Sequence, residues 1–195
     1  MASLSRAADE CCHAAIVPET LDELLAGLEA AAPSPAGGTA AAVVAAMAAS
    51  LVVMVARESP GWPAGTETAT RATQLRDRLV ALGAEDVRAF AAVLAASRAD
   101  DSGAFAAALV RASEVPLETA ERAADVAEIA TRAAVEGKRP MRPDAEVAAI
   151  LAAAATRAAA LLVRVNVAAL PTSGANETAA RLLAAAEAAE DRTAS

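Results

Sequence analysis

Apolar side chains recur along this chain at alternating three- and four-residue steps, the spacing that paints one face of a helix. Thr20-Leu21-Asp22-Glu23 reads as a capping box, in which the hydroxyl and the carboxylate each satisfy a backbone donor, and Leu21, Leu24, Leu25 and Leu28 then form one stripe. The run Pro33-Ser34-Pro35-Ala36-Gly37-Gly38 interrupts the pattern, and a second helix is predicted over about 39–58. Residues 60–65, which hold the only tryptophan, Trp62, read as a loop. A long third helix follows over about 67–97, with Leu75, Leu79, Leu82, Phe90 and Val93 on one stripe. A shorter helix is expected near 103–113, and Pro116 is expected to open another that stops at Gly137. Residues 138–143 form a proline-bracketed turn, Asp144 opens an apolar helix reaching about Leu170, and a last amphipathic helix covers roughly 176–190.

Six or seven helical segments without an internal repeat or a linker point to one all-α, up-and-down antiparallel bundle over residues 18–195, preceded by a loose arm over 1–17. Composition sharpens this: alanine is close to a third of the 195 residues, and only 2 % are aromatic. Alanine lets helix axes approach closely but buries little area per residue, so the core is modest for its size. Pairing with a second copy would recover burial, and a homodimer is expected.

The balance of 25 acidic against 17 basic residues, a formal net charge of −8, argues against nucleic acid or a membrane surface as partner. Residues 39–56 carry no charge and reach the lower edge of a membrane span, yet they are mostly alanine and lack basic flanks and aromatic belts. They read as a central helix buried on all sides. The start lacks the signature of a secretory signal, and a cytoplasmic protein is expected.

Candidate chemistry is sparse. His13 is the only histidine, and with Cys11 and Cys12 it has poor spacing for one metal ion, so no metal site is expected. Asp86 falls within the apolar stripe of the third helix, where a carboxylate is costly unless it is paired or its elevated pKa is useful. Either an arginine from a neighbouring helix neutralises it, or it serves as general acid or base in a dry interhelical cleft. The tandem glycines Gly37 and Gly38 permit positive φ and expose backbone N–H groups at a helix start, which suits an anion or a carbonyl oxygen, or else they allow two helices to approach closely. Asp144 and Asn166 share one face of one helix but stand about 33 Å apart along it, so within one subunit they cannot serve one small reacting centre. Asp144 can equally favour the helix dipole, and Asn166 can bridge backbones.

In this order the residues resemble the cyclodeaminase/cyclohydrolase family, which spans the cyclodeaminase half of formiminotransferase-cyclodeaminase and the bacterial methenyltetrahydrofolate cyclohydrolases. Residues 33–39 are similar to its Pro-Thr-Pro-Gly-Gly-Gly-Ser opening, Asp86-Val87-Arg88-Ala89-Phe90 to its Asp-Ala-x-Ala-Phe segment, and Val115-Pro116-Leu117 to its Val-Pro-Leu helix start. Residues 137–144 keep the spacing of its Gly-Asn-x-x-x-x-Ser-Asp stretch, and Asn166 falls on an asparagine of its later helix. The resemblance implies a dimeric helical bundle that binds folate in a cleft near the subunit interface, with no cofactor or metal beyond a tetrahydrofolate derivative as substrate. It implies Asp86 and Asp144 as catalytic residues, and Pro35, Gly37, Gly38, Thr39, Lys138, Leu162 and Asn166 as substrate-binding positions. Lys138 stands where the family has asparagine, Pro143 where it has serine, Leu162 where it has a further asparagine, Ala36 for a glycine, and Ala84 for a second acid. Three readings follow: a cyclohydrolase or cyclodeaminase acting on tetrahydrofolate, the same bundle refitted for a less polar substrate, and a non-catalytic dimeric binding protein.

Overall fold

The computed structural model describes residues 20–30, 36–99, 101–170 and 176–193. The arm over 1–17, Cys11, Cys12, His13 and Pro35 lie outside the described residues. Among those described, six α-helices and one 3₁₀ turn account for the regular structure, without strands: α1 (Leu21–Glu29), α2 (Gly37–Arg57), α3 (Gly65–Arg98), α4 (Ser102–Glu136), the 3₁₀ turn (Arg139–Met141), α5 (Arg142–Ala168) and α6 (Asn176–Asp191).

Helices α2 to α5 pack as a ring in which each neighbours the next and α5 closes on α2. Cross-helix contacts give the directions. Thr39 at the start of α2 meets Asp86 far along α3, and Asn166 near the end of α5 meets Ala112 early in α4, so sequential helices run antiparallel. Helix α6 lies along α4 and α5, held by Arg164–Glu190, Arg192–Glu128 and Arg192–Asp125 ion pairs.

The core is built from alanine and valine, with Leu75, Leu79 and Leu82 of α3 as its largest fully buried members alongside Leu182 of α6. Several buried hydroxyls are satisfied within their own helices. Ser113, Thr119 and Thr156 each donate to the carbonyl four residues back, so they enter the core without requiring a partner from another helix.

The capping box forms as predicted, with Thr20 and Glu23 bonded reciprocally. Helix α1 nevertheless buries no residue, and Leu21 and Leu25 face solvent. Local capping was enough to predict the helix, whereas its packing depends on the neighbour its stripe finds. Phe90 also departs from expectation: it is 40 % exposed, although its neighbour Ala89 is buried in the core and Val93 packs against that core. Trp62 is more than a loop residue. It is buried at the base of the bundle against Val55, Ala133 and Ala145, and its Nε1 donates to Glu136 at 2.8 Å.

The two helices expected around Pro116 are one. Helix α4 runs through the proline from Ser102 to Glu136. Proline has no N–H for the carbonyl four residues back, so Ala112 loses its intrahelical donor. Asn166 of α5 supplies the replacement, its Nδ2 donating to the Ala112 carbonyl at 2.7 Å. With both flanks of the proline buried, continuous packing outweighs the local cost.

By length and composition, α2 and the segment 139–168 could each cross a membrane, but 61 % of the most apolar window of α2 lies inside the protein. The expectation of burial on all sides is corrected by one exposed strip along α2, centred on Met47 and Ser50. Helix α2 packs chiefly against α3, α4 and α5, and among the described residues no fourth helix packs comparably against that side.

Asn166→Ala is expected to destabilise the fold by about 1–2 kcal/mol by stranding the Ala112 carbonyl. In a Pro116→Ala background, where residue 116 regains its N–H, most of that cost should disappear. Urea unfolding of the two single variants and the double variant checks this coupling.

Candidate active site

The first turn of α2 has no side-chain cap of its own. Ala36 is the N-cap residue, in extended conformation, and it offers no acceptor. The two glycines are helical positions, not a loop before the helix, and neither takes a positive φ. The need for glycine here is steric. A Cβ on Gly38 would overlap the carboxylate of Asp86, which arrives from α3 and lies against the backbone.

That carboxylate is the missing cap. Asp86 Oδ2 accepts from the backbone N–H of Thr39 at 3.1 Å and lies 3.4 Å from the Thr39 hydroxyl, which also donates to the Gly83 carbonyl at 3.0 Å. The exposed amides of the helix start are thus met by an anion from within the protein. Oδ1 accepts no hydrogen bond among the described residues. Oδ1 lies against the Gly38 backbone, in the space a Cβ would fill, and is not fully buried. One oxygen is anchored by hydrogen bonds and the other has no hydrogen-bond partner among the described residues.

The neutralising arginine allowed for by the sequence is not present. Among the described residues Asp86 forms no ion pair, whereas its neighbour Glu85 takes both Arg78 and Arg111, and Arg78 also binds Glu118 of α4. Arg78, chiefly through its hydrogen bond, and Arg122 hold the Glu118 carboxyl below its usual range. Asp86 goes the other way. Burial pushes its carboxyl up, and the hydrogen bonds from Thr39 offset this only in part.

Five of the candidate positions gather here: Asp86, Gly37, Gly38, Thr39 and Leu162, whose methyl carbons stand 3.9–4.0 Å from where a Gly37 Cβ would be. Asn166, one turn beyond Leu162, is turned to the Ala112 carbonyl. Asp144 and Lys138 are at the opposite end of the bundle. Asp144 lies half-buried in the first turn of α5, where its charge suits the helix dipole, and exposed Lys138 gives its backbone N–H to the Ser59 hydroxyl at 2.8 Å. Their end also carries features that periodicity did not flag. A groove of about 470 Å³ is lined by Arg57, Trp62, Thr66, Thr70 and Gln74, and one of about 360 Å³ by Ser59, Trp62, Glu136 and Lys138. The only available signal was a lone tryptophan between Pro60 and Pro63.

The family model described as formiminotransferase-cyclodeaminase matches residues 20–187. The chain belongs to the formiminotransferase-cyclodeaminase family. It is 36 % identical over 164 residues to a methenyltetrahydrofolate cyclohydrolase of Methylorubrum extorquens, a match covering 76 % of this chain and 79 % of that one. Its fold superposes on a formiminotetrahydrofolate cyclodeaminase from Thermotoga maritima with a TM-score of 0.78 and 25 % identity, covering 89 % of this chain and 93 % of the other. The chain is an enzyme of the cyclohydrolase/cyclodeaminase type. Within this family member the Asp86 cluster joins the glycine-rich opening and the Asp-x-x-Ala-Phe segment, which are far apart in sequence.

Because the native Asp86 carboxyl keeps its proton to higher pH than the unfolded chain, its charge weakens the fold as pH rises through the native value. Below the unfolded value both states are protonated and that penalty is absent. Asp86→Asn is therefore expected to raise Tm at neutral pH, with the gain shrinking toward zero under acid. Thermal melts across pH check it, and a gain independent of pH would contradict the assignment.

Proposed function

We propose that the protein opens or closes the one-carbon ring of a tetrahydrofolate derivative, with Asp86 as the general acid/base. The observation that carries this reading is the half-anchored carboxylate: Oδ2 tied to Thr39, Oδ1 without a hydrogen-bond partner, and no ion pair to either among the described residues. The methenyl carbon of 5,10-methenyltetrahydrofolate sits between two nitrogens in an amidinium-type cation, already electrophilic. Asp86 Oδ1 takes a proton from water as its oxygen bonds to that carbon. The tetrahedral adduct then collapses with cleavage of one C–N bond, and the departing nitrogen takes up a proton. An unpaired carboxylate also favours the cationic substrate over the neutral product. No cofactor is called for, because the one-carbon carrier is the substrate itself, and the reading carries a cytoplasmic location with it.

Leu162 favours a second reading. Its apolar side chain borders Gly37, so the wall of the cleft next to the carboxylate lacks a hydrogen-bonding group at that point. The same machinery would then act on a less polar heterocycle, and failure of the folate reaction with an intact Asp86 site would favour it.

The candidate residues Asp144 and Lys138 come near Asp86 only if another subunit brings them. Helix α5 presents an outward face of Val147, Ile150, Ala154, Leu161 and Val165, interrupted by Arg157, with Ile150 67 % exposed, and it ends beside Leu162 at the rim of the Asp86 site. A largely apolar face continuous with the site fits a second copy of the chain, and the small-residue core gives the monomer reason to bury it.

Ring opening of 5,10-methenyltetrahydrofolate, followed by loss of its absorbance, is expected for the wild type and to fall by about 10²–10⁴-fold in Asp86→Asn. The rate should decline as pH drops through the raised Asp86 value, since the base form is the active one. Equal rates in both proteins would overturn the role of Asp86. Light scattering should give twice the chain mass for the wild type and a monomer for Ile150→Glu. A monomeric wild type would remove the second copy.

A further inference from the structure

We infer that Thr39 is the positioning residue of this site: its backbone N–H holds Asp86 Oδ2 and its hydroxyl proton is shared between Oδ2 and the Gly83 carbonyl, which leaves Oδ1 as the oxygen free to exchange a proton with substrate. This rests on Asp86 being the proton-transfer group. A carboxylate can turn about its last bond, and nothing in the chemistry of aspartate chooses one oxygen over the other. Thr39 makes the choice. It is buried, and its hydroxyl lies 3.0 Å from the Gly83 carbonyl and 3.4 Å from Oδ2, so one hydroxyl touches two groups on the same face of α3. The Gly83 carbonyl belongs to the helix backbone, and the hydroxyl fixes the start of α2 relative to it. The Thr39 N–H then meets Oδ2 at 3.1 Å in a register set by the helices and not by the side chain alone. Gly38 completes the clamp, because its missing Cβ leaves the space that the carboxylate fills.

Among the described residues no charged side chain pairs with this carboxylate, and most of those near it are engaged elsewhere. On α3, Glu85 is bound by Arg78 and Arg111, and Arg88 makes no ion pair with Asp86. On α4, Arg111 also reaches Glu114, while Glu118 holds Arg78. On α5, Arg164 is bound to Glu190, and α2 has no charged side chain before Arg57. The hydrogen bonds to Thr39 are thus the protein's hold on Asp86 among the described residues.

The test is a carboxyl titration by NMR on the full chain labelled with ¹³C-aspartate, with Asp86→Asn identifying the resonance. In Thr39→Val the backbone N–H remains and the hydroxyl is gone. The Asp86 midpoint is expected to move up from the wild-type value, and Thr39→Ser, which keeps the hydroxyl, is expected to return it. Thr39→Ala gives the same reading should valine not be accepted in the bundle. In ring-opening kinetics the acid limb should move in the same direction, with kcat down about 10-fold and KM little changed. Identical midpoints in wild type and Thr39→Val would overturn the inference, as would lower Tm in every variant without movement of the midpoint, the mark of a purely structural threonine. The titration needs no substrate, so a wild type inactive on methenyltetrahydrofolate would count against the folate reaction alone.

Discussion

A single carboxylate sits where a helix starts without a cap of its own, and much of this molecule is arranged around that contact. Helix α2 opens on Ala-Gly-Gly-Thr, a sequence that provides no side-chain acceptor for its first amides. Asp86 provides one from α3, and in doing so it fixes how far α2 slides along its neighbour. The contact requires a bare Cα at residue 38 and a small residue at 83, where Thr39 packs at ordinary van der Waals distance. It also brings a charged group into a partly buried position without an ion-pair partner among the described residues. That combination raises the proton affinity of Asp86, and a general base is useful when its affinity lies closer to working pH than that of a free carboxylate.

Adjacent residues on α3 show how finely the helix sorts its charges. Glu85 and Asp86 are one position, or about 100° of rotation, apart. Glu85 turns to α4 and enters an arginine network, whereas Asp86 turns to α2 and finds only backbone and a hydroxyl. The first arrangement is a surface network that ties α3 to α4. The second leaves a carboxylate whose charge is not already spent. Alanine makes this possible, since close helix axes bring main-chain groups of α2 within hydrogen-bonding distance of a short side chain on α3.

The same close packing explains the continuous α4. A proline in mid-helix leaves one carbonyl without its donor, and only because α5 lies near does the short Asn166 side chain reach it. The asparagine that looked like a ligand residue is thus also a repair to the backbone. Elsewhere, thin packing leaves its mark at the surface. Large apolar side chains, Met47 of α2 and Val147, Ile150, Leu161 and Val165 of α5, stay exposed on the outward faces of these helices.

Local and periodic features were legible in the sequence because the interactions that produce them span only a few residues. The capping box at Thr20, the starts of α2 and α3 to within two residues, the proline turn before α5 and the extent of α6 all follow from such short-range rules. Asp86 was visible too, since a carboxylate on an apolar stripe breaks the pattern. Its partner was not, because Thr39 lies 47 residues away and hydrogen-bonds largely through a main-chain N–H, which has no signature in the sequence. The continuity through Pro116, the burial of Trp62 and the exposure of Phe90 and α1 were decided by tertiary packing. In each case the outcome turned on whether a neighbouring helix was present to supply a donor or cover a face, and periodicity within one helix carries no information about its neighbours.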